Sequence, residues 1–302
     1  MKFCIRHETR YRYGESTGVS YNEVRLCPKA SESQQLISKT IEVTPTASEL
    51  RLRTDYFGNT VWYLAIHQPH KEMAVTVKSH VHIDPRPAPE DPDRCPAWEK
   101  VVEMTENPVD AQSAAAVEFA LDSPLVRSAP ELAAYARPCF STGRPVILAV
   151  TDLMQRIHND FEFKPGFTDT ATPLSEVLKH RKGVCQDFAQ LAIGSLRSLG
   201  LPARYVSGYI ETLPPPGKEK LKGADVSHAW FSAYMPPFGW VDFDPTNNQI
   251  PYDQHIVVGH GRDFSDVTPI KGVIFSAGQH ELHVSVDVER IEAAASLMKQ
   301  SR

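Results

Sequence analysis

An α+β fold is predicted, with an N-terminal β-sandwich-like domain ahead of a core in which a cysteine-bearing helix packs on an antiparallel sheet. Three observations lead there. Phe3, Ile5, His7, Thr9, Tyr11 and Tyr13 recur at period two, the signature of a half-buried strand. Five prolines within residues 85–96 then preclude regular helix and disfavour a central strand. From residue 183 one helical stripe is followed by several β-rich runs, the element order of an α+β domain.

Each element follows from its local pattern. Val61 to His67 and Met73 to Ile83 are rich in β-branched and aromatic residues, and Phe57-Gly58-Asn59 supplies a turn between two strand-like runs. These features define a domain over 1–84 and a Pro-rich linker over 85–97. Ala-rich stretches at Ala111 to Ala120 and Pro130 to Ala136 predict helices, and Val146, Ile147, Val150, Leu153, Met154 and Ile157 recur at helical spacing. The core is expected to run from 98 to 291, with a short helical tail over 292–302.

Composition narrows the function classes. The 302 residues suit about two domains. Acids outnumber bases 37 to 32 without a long run of either sign, so neither nucleic acid nor an anionic membrane is an expected partner. The N-terminus lacks the basic and apolar regions of a signal peptide, and no apolar run approaches the roughly 18 residues of a membrane span. A soluble, cytoplasmic protein is the expectation. Cys4, Cys27, Cys95, Cys139 and Cys185 are odd in number and widely spread, which points to reduced thiols without structural zinc. No EF-hand-type loop appears, so neither metal nor cofactor is expected.

The chemistry concentrates after residue 181. Cys185, Phe188, Ala189, Ala192, Leu196 and Leu199 form one helical stripe, with Gly200 placed for a C-terminal cap and Pro202 preventing continuation. Cys185 therefore falls at a helix N-terminus, where unpaired N–H groups and the helix dipole favour anionic sulfur and can steady an oxyanion. His228 opens the alternating run HAWFSAY, and Trp240, Asp242 and Asp244 share one face of the run starting at Gly239. A hairpin around Met235-Pro236-Pro237-Phe238 would set a carboxylate beside the histidine. Cysteine, histidine base and orienting acid are the parts of a nucleophilic site, and alternation alone leaves Asp242 and Asp244 both eligible.

Four segments, GVCQDFAQ, LGLPARYVSGY, SHAWFSAY and GWVDFDPTNN, with GRDFSDVTPIKG downstream, resemble the transglutaminase-like superfamily, in its bacterial cysteine-protease branch with an N-terminal β domain. The resemblance implies a papain-like core with Cys185 as nucleophile, His228 as base and then acid, and Asp244 as orienter, because the family's aspartate stands in an Asp-Pro-Thr context. Gln190 departs from the family pattern, which often has histidine there.

Structural readings compete at several positions. Asp187 is either a helix cap or a site residue, and Asp242 is a solvent-facing or substrate-side carboxylate. Trp230 and Trp240 read as core or cleft wall. The pairs His80/His82 and His280/His283 lack further ligands at metal-site spacing. The loop from Leu213 to Asp225 is either a connector or a cleft flap. The expected activity is thiol-dependent hydrolysis of a peptide or protein amide through a thioester. Acyl transfer to an amine and a non-catalytic binding or assembly module are the alternatives, and oligomeric state is left open. The N-terminal domain is expected to shape or cover the cleft without supplying the nucleophile, base or acid.

Overall fold

The alternating residues of β1 (Lys2–Thr17) bury Phe3, Ile5 and His7. The computed structural model describes residues 1–85, 87, 89, 91–212, 225–274 and 280–291. β2 (Ser20–Val24), β3 (Gln34–Thr44), β4 (Glu49–Thr54), β5 (Thr60–Ile66) and β6 (His70–Ile83) follow in two antiparallel sheets. Tyr13, Met73 and Val75 of one sheet meet Val24, Leu64 and Ile66 of the other, which makes the expected sandwich. Gly58 turns the chain between β4 and β5 at φ 75°, a conformation that only glycine adopts at low cost.

Helices α1 (Trp98–Glu106), α2 (Ala111–Val117), α3 (Pro130–Ala136) and α4 (Val146–Asp160) come next, then the short strand β7 (Glu162–Phe163), α5 (Leu174–His180) and the short strand β8 (Lys182–Gly183). α2, α3 and α4 fall where composition and spacing predict them. Within the linker, Pro92–Arg94 forms a single 3-10 turn and Cys95 is buried in the helical core.

α6 (Cys185–Arg197) packs on the sheet of β9 (Ala203–Ile210), β10 (Ser227–Met235), β11 (Gly239–Phe243) and β12 (His255–Gly261), whose order is β11-β10-β9-β12. Phe188, Ala189, Ala192 and Leu196 of the helix share a core with Tyr205, Ala229, Phe231 and Phe243 of the sheet. The β10–β11 hairpin pairs Met235 with Gly239, as the turn signal predicts. α6 closes in a Schellman motif, with Gly200 N donating to Arg197 O at 2.9 Å and Leu201 N to Leu196 O at 3.0 Å, around Gly200 at φ 85°.

The last two strands, expected within the core that runs to residue 291, pair instead with the N-terminal sheets. β13 (Ile270–Ile274) pairs with β2, and β14 (His280–Ile291) runs along β1 from Lys2↔Ile291 to Tyr13↔His280. The chain thus returns to the N-terminal sheets. The physical reason is burial: Val286 and Val288 of β14 join Phe3, Ile5, Val81 and Ile83 in a core that also takes in Tyr209, Ile256 and Val258. Those last three belong to β9 and β12, so the sandwich packs directly against the core sheet. Residues 213–224 of the proline-containing loop and the expected helical tail at 292–302 lie outside the described residues. Among the described residues no helix is long and apolar enough to cross a membrane.

Candidate active site

Cys185 is the first residue of α6, where the first-turn N–H groups have no partner within the helix. Asp187 fixes this entry. Its Oδ2 accepts from Val184 N at 2.7 Å and from Thr168 Oγ1 at 2.6 Å, so the cap is the role the structure supports. Burial raises its pKa, and the Thr168 and Val184 donors pull the other way. A Cβ at Gly183 would lie 2.7 Å from that same oxygen, which explains the glycine before the helix.

His228 starts the apolar run of β10 and is 7% exposed. Its Nε2 lies 2.8 Å from Asp244 Oδ2, and the Cys185 side chain interacts with the same ring. Burial disfavours charge on His228, but the hydrogen bonds to Asp244 and Cys185 outweigh it and raise the pKa from 6.5 to about 10. Burial likewise opposes ionisation of Asp244, and hydrogen bonds from His228 and His255 overcome it, holding the carboxyl well below its usual range. The structure therefore brings Cys185, His228 and Asp244 together. The geometry supports proton exchange between sulfur and imidazole, with a fixed negative charge behind the ring.

Asp242 lies elsewhere. Its Oδ2 accepts from Trp230 Nε1 at 3.0 Å, and its Oδ1 accepts from Ser232 Oγ. Trp230 is fully buried, as a core residue.

Two neighbours of Asp244 escaped the sequence reading. His255 Nε2 sits 3.0 Å from Asp244 Oδ2, and Asn247 Nδ2 donates to the same oxygen at 2.7 Å. An ionised carboxylate only accepts, so both imidazoles carry their proton on Nε2. Nδ1 of His255 is buried without a partner. Thr246 N and Asn247 N donate to Oδ1 at 3.0 and 3.2 Å, so the turn after Pro245 secures the carboxylate from behind. His228, Asp244 and His255 offer ligand atoms within 4.8 Å of one another and could hold a metal ion. In the structure the His228–Asp244 and His255–Asp244 contacts are hydrogen bonds of 2.8 and 3.0 Å, closer than the roughly 3.4 Å that separates two ligand atoms held tetrahedrally about 2.1 Å from one zinc ion.

The downstream motif has a supporting role. Gln190 is buried and accepts from Phe264 N at 3.3 Å, while Asp263 accepts from Leu125 N at 2.7 Å and Ser265 N at 2.8 Å. Cys27, Cys95 and Cys139 are buried and Cys4 is half-buried, and burial pushes all four thiols up. His7 is bonded to Tyr209 Oη at 3.0 Å and His67 rests against the Tyr21 ring. His80 meets Ser38 Oγ at 2.9 Å and His82 meets Asp84 at 3.2 Å.

Comparisons with known proteins agree with this architecture. Residues 3–82 match the bacterial transglutaminase-like N-terminal region, and residues 133–245 match the transglutaminase-like superfamily core. An uncharacterized protein of Mycobacterium tuberculosis is 37% identical over 302 residues, covering 97% of this chain and 94% of that protein. A protein-glutamine gamma-glutamyltransferase of Pseudomonas aeruginosa is 32% identical over 106 residues, covering 34% of this chain and 16% of that protein. The crystal structure of a candidate cysteine protease from Cytophaga hutchinsonii shares the fold, with TM-score 0.74 at 22% identity over 97% of this chain and 92% of that one. Motif order, the cysteine-bearing helix on its sheet and these matches lead to one assignment: the chain belongs to the transglutaminase-like superfamily, in the form that joins a bacterial transglutaminase-like N-terminal region to the core.

Proposed function

We propose that the chain is a thiol-dependent amide or peptide hydrolase with Cys185 as nucleophile, His228 as acid–base group and Asp244 as orienter. The observation that carries this reading is the buried His228 ring, bonded to Asp244 at 2.8 Å and under the influence of the Cys185 side chain at the start of α6. Cys185 sulfur gives its proton to His228 and attacks the amide carbonyl, forming a C–S bond. His228 then protonates the departing amine as the C–N bond breaks, leaving a thioester. Neutral His228 next takes a proton from water, whose oxygen attacks the thioester, and the proton returns to sulfur as the acid leaves. First-turn N–H groups of α6, next to the nucleophile at the helix start, supply donors for the oxyanion.

The same thioester serves transfer if an amine replaces water. The match to the Pseudomonas aeruginosa gamma-glutamyltransferase is the observation that favours this second reading. Iodoacetamide at neutral pH, followed by peptide mapping, is expected to label Cys185 well ahead of the other four cysteines. The chain is then incubated with fluorescent casein, with and without a fluorescent primary amine. New peptide termini that disappear in Cys185→Ala identify hydrolysis, and Cys185-dependent amine incorporation without cleavage identifies transfer. Equal labelling of all accessible thiols with neither product would remove the catalytic reading.

A further inference from the structure

Across the core sheet from α6 lies a second hollow of about 1120 Å³, walled by the sheet, by residues 29–34 of the sandwich side and by residues 250–252. Arg204 stands in its wall. In the strand register Arg204, Ser232 and Asp242 form one row across β9, β10 and β11, on the face opposite the residues that meet α6. Asp242 is the nearby acid, yet its two oxygens are already taken by Trp230 and Ser232.

Arg204 is half-buried, with one donor unsatisfied. Its guanidinium lies over the Trp240 ring, 4.4 Å from the centroid, and its Nε is buried without a hydrogen-bond partner. Among the described residues no carboxylate comes within ion-pairing distance of it. A guanidinium carries five donors in a fixed fork, and a buried donor without a partner is costly. Such a fork matches the paired oxygens of a carboxylate or phosphate.

Lys29, Arg94, His255 and His260 also line the hollow, together with the acids Glu32, Asp84, Asp91 and Asp242. Lys29 donates to Phe57 O at 2.6 Å and weakly to Asn59 Oδ1 at 3.4 Å, which leaves donor capacity toward the hollow. Burial and then the Arg204 charge push Lys29 down to about 8, against the pull of Asp55. Burial, Arg204 and Lys29 push His260 down to about 2, so His260 is a neutral polar wall. The hollow is large enough for a small organic ligand, and Trp240, Val241 and Ile250 give it apolar surface.

We propose that this hollow is a second ligand site, separate from Cys185, which binds a small organic anion by its carboxylate or phosphate group on the Arg204 fork with Lys29 as a supporting cation. The inference does not rest on the proposed hydrolysis. It is tested in the Cys185→Ala chain, which cannot form a thioester, by titrating succinate and inorganic phosphate at constant ionic strength while following tryptophan fluorescence. Trp240 reports directly because the anchor lies on its ring. A saturable change with at least one anion is expected, weakened about tenfold or more, which is about 1.4 kcal/mol or more, by Arg204→Gln and less by Lys29→Gln. Tighter succinate binding assigns the site to carboxylates, and tighter phosphate binding assigns it to phosphate esters. Arg204→Lys keeps the charge and loses the fork, so it too binds more weakly, and it serves if Arg204→Gln does not fold. No saturable response to either anion, or undiminished affinity in the Arg204 variants, overturns the proposal.

Discussion

Oδ2 of Asp244 receives donors from His228, His255 and Asn247 at 2.7 to 3.0 Å, and that crowding decides what the neighbouring imidazole can do. A carboxylate so supplied stays ionised and holds the His228 proton in place. Asp244→Asn is expected to keep the fold and to reduce kcat by about a hundredfold or more, with the alkaline limb of the pH–rate profile moving from near 10 toward the ordinary 6.5 of imidazole. The same change at Asp242 leaves turnover within a few fold, because Asp242 serves Trp230 and Ser232. The reverse pattern on a responsive amide substrate would reassign the orienter. His255→Phe removes one donor from Asp244 without touching Cys185. It is expected to lower kcat between about tenfold and a hundredfold with KM unchanged, and His255→Gln to recover part of the loss through its amide donor. An unaltered pH profile and kcat in His255→Phe would reduce that histidine to a packing role. Asp244 was readable from its Asp-Pro-Thr context, whereas His255 was not. It enters β12, which borders β9 and not β10, and the two histidine rings come within 6.0 Å only through that strand order, which no local periodicity encodes.

α6 runs from Cys185 at its first residue to the buried Arg197 at its last. Its stripe, its closing glycine and its position ahead of Pro202 made it legible, as did the β10–β11 hairpin with its proline turn. α1 and α5 were not foreseen: α5 has seven residues after Pro173, too few turns for a periodic pattern to rise above chance. The far end of α6 is held by Arg197, 3% exposed, whose guanidinium donates to Phe119 O, Ser123 Oγ, Ala203 O and Arg262 O at 2.6 to 3.0 Å. Burial lowers its pKa to about 10, so it remains charged at neutrality. Those four acceptors belong to segments that frame α6 and β9. Arg197→Met fills similar volume but strands them, and is expected to cost about 3 kcal/mol in urea unfolding, with iodoacetamide labelling of Cys185 in the folded protein little changed. A loss below about 0.5 kcal/mol would mean that water replaces the guanidinium without penalty.

At the scale of the whole molecule, the return of β13 and β14 binds the two halves into one structure. A reading by composition breaks the chain at the prolines, and it had no means to see that the last strands belong with the first, because strand pairing between residues 2 and 291 leaves no mark on either segment alone. Val286 and Val288 are fully buried among Phe3, Ile5, Tyr209 and Ile256, so side chains from both halves meet in one core. Val288→Ala removes two methyl groups there and is expected to cost about 2 kcal/mol, counting transfer and residual cavity. If the halves unfold as one unit, the urea midpoint falls equally by far-ultraviolet circular dichroism and by tryptophan fluorescence. Fluorescence is the informative probe, since Trp98, Trp230 and Trp240 lie in the half that carries α6 and its sheet and only Trp62 in the sandwich. A circular-dichroism midpoint that falls while the fluorescence midpoint stays fixed would show two independently stable halves. The contact of Val288 with β9 and β12 would then be incidental to the stability of the sheet that carries His228.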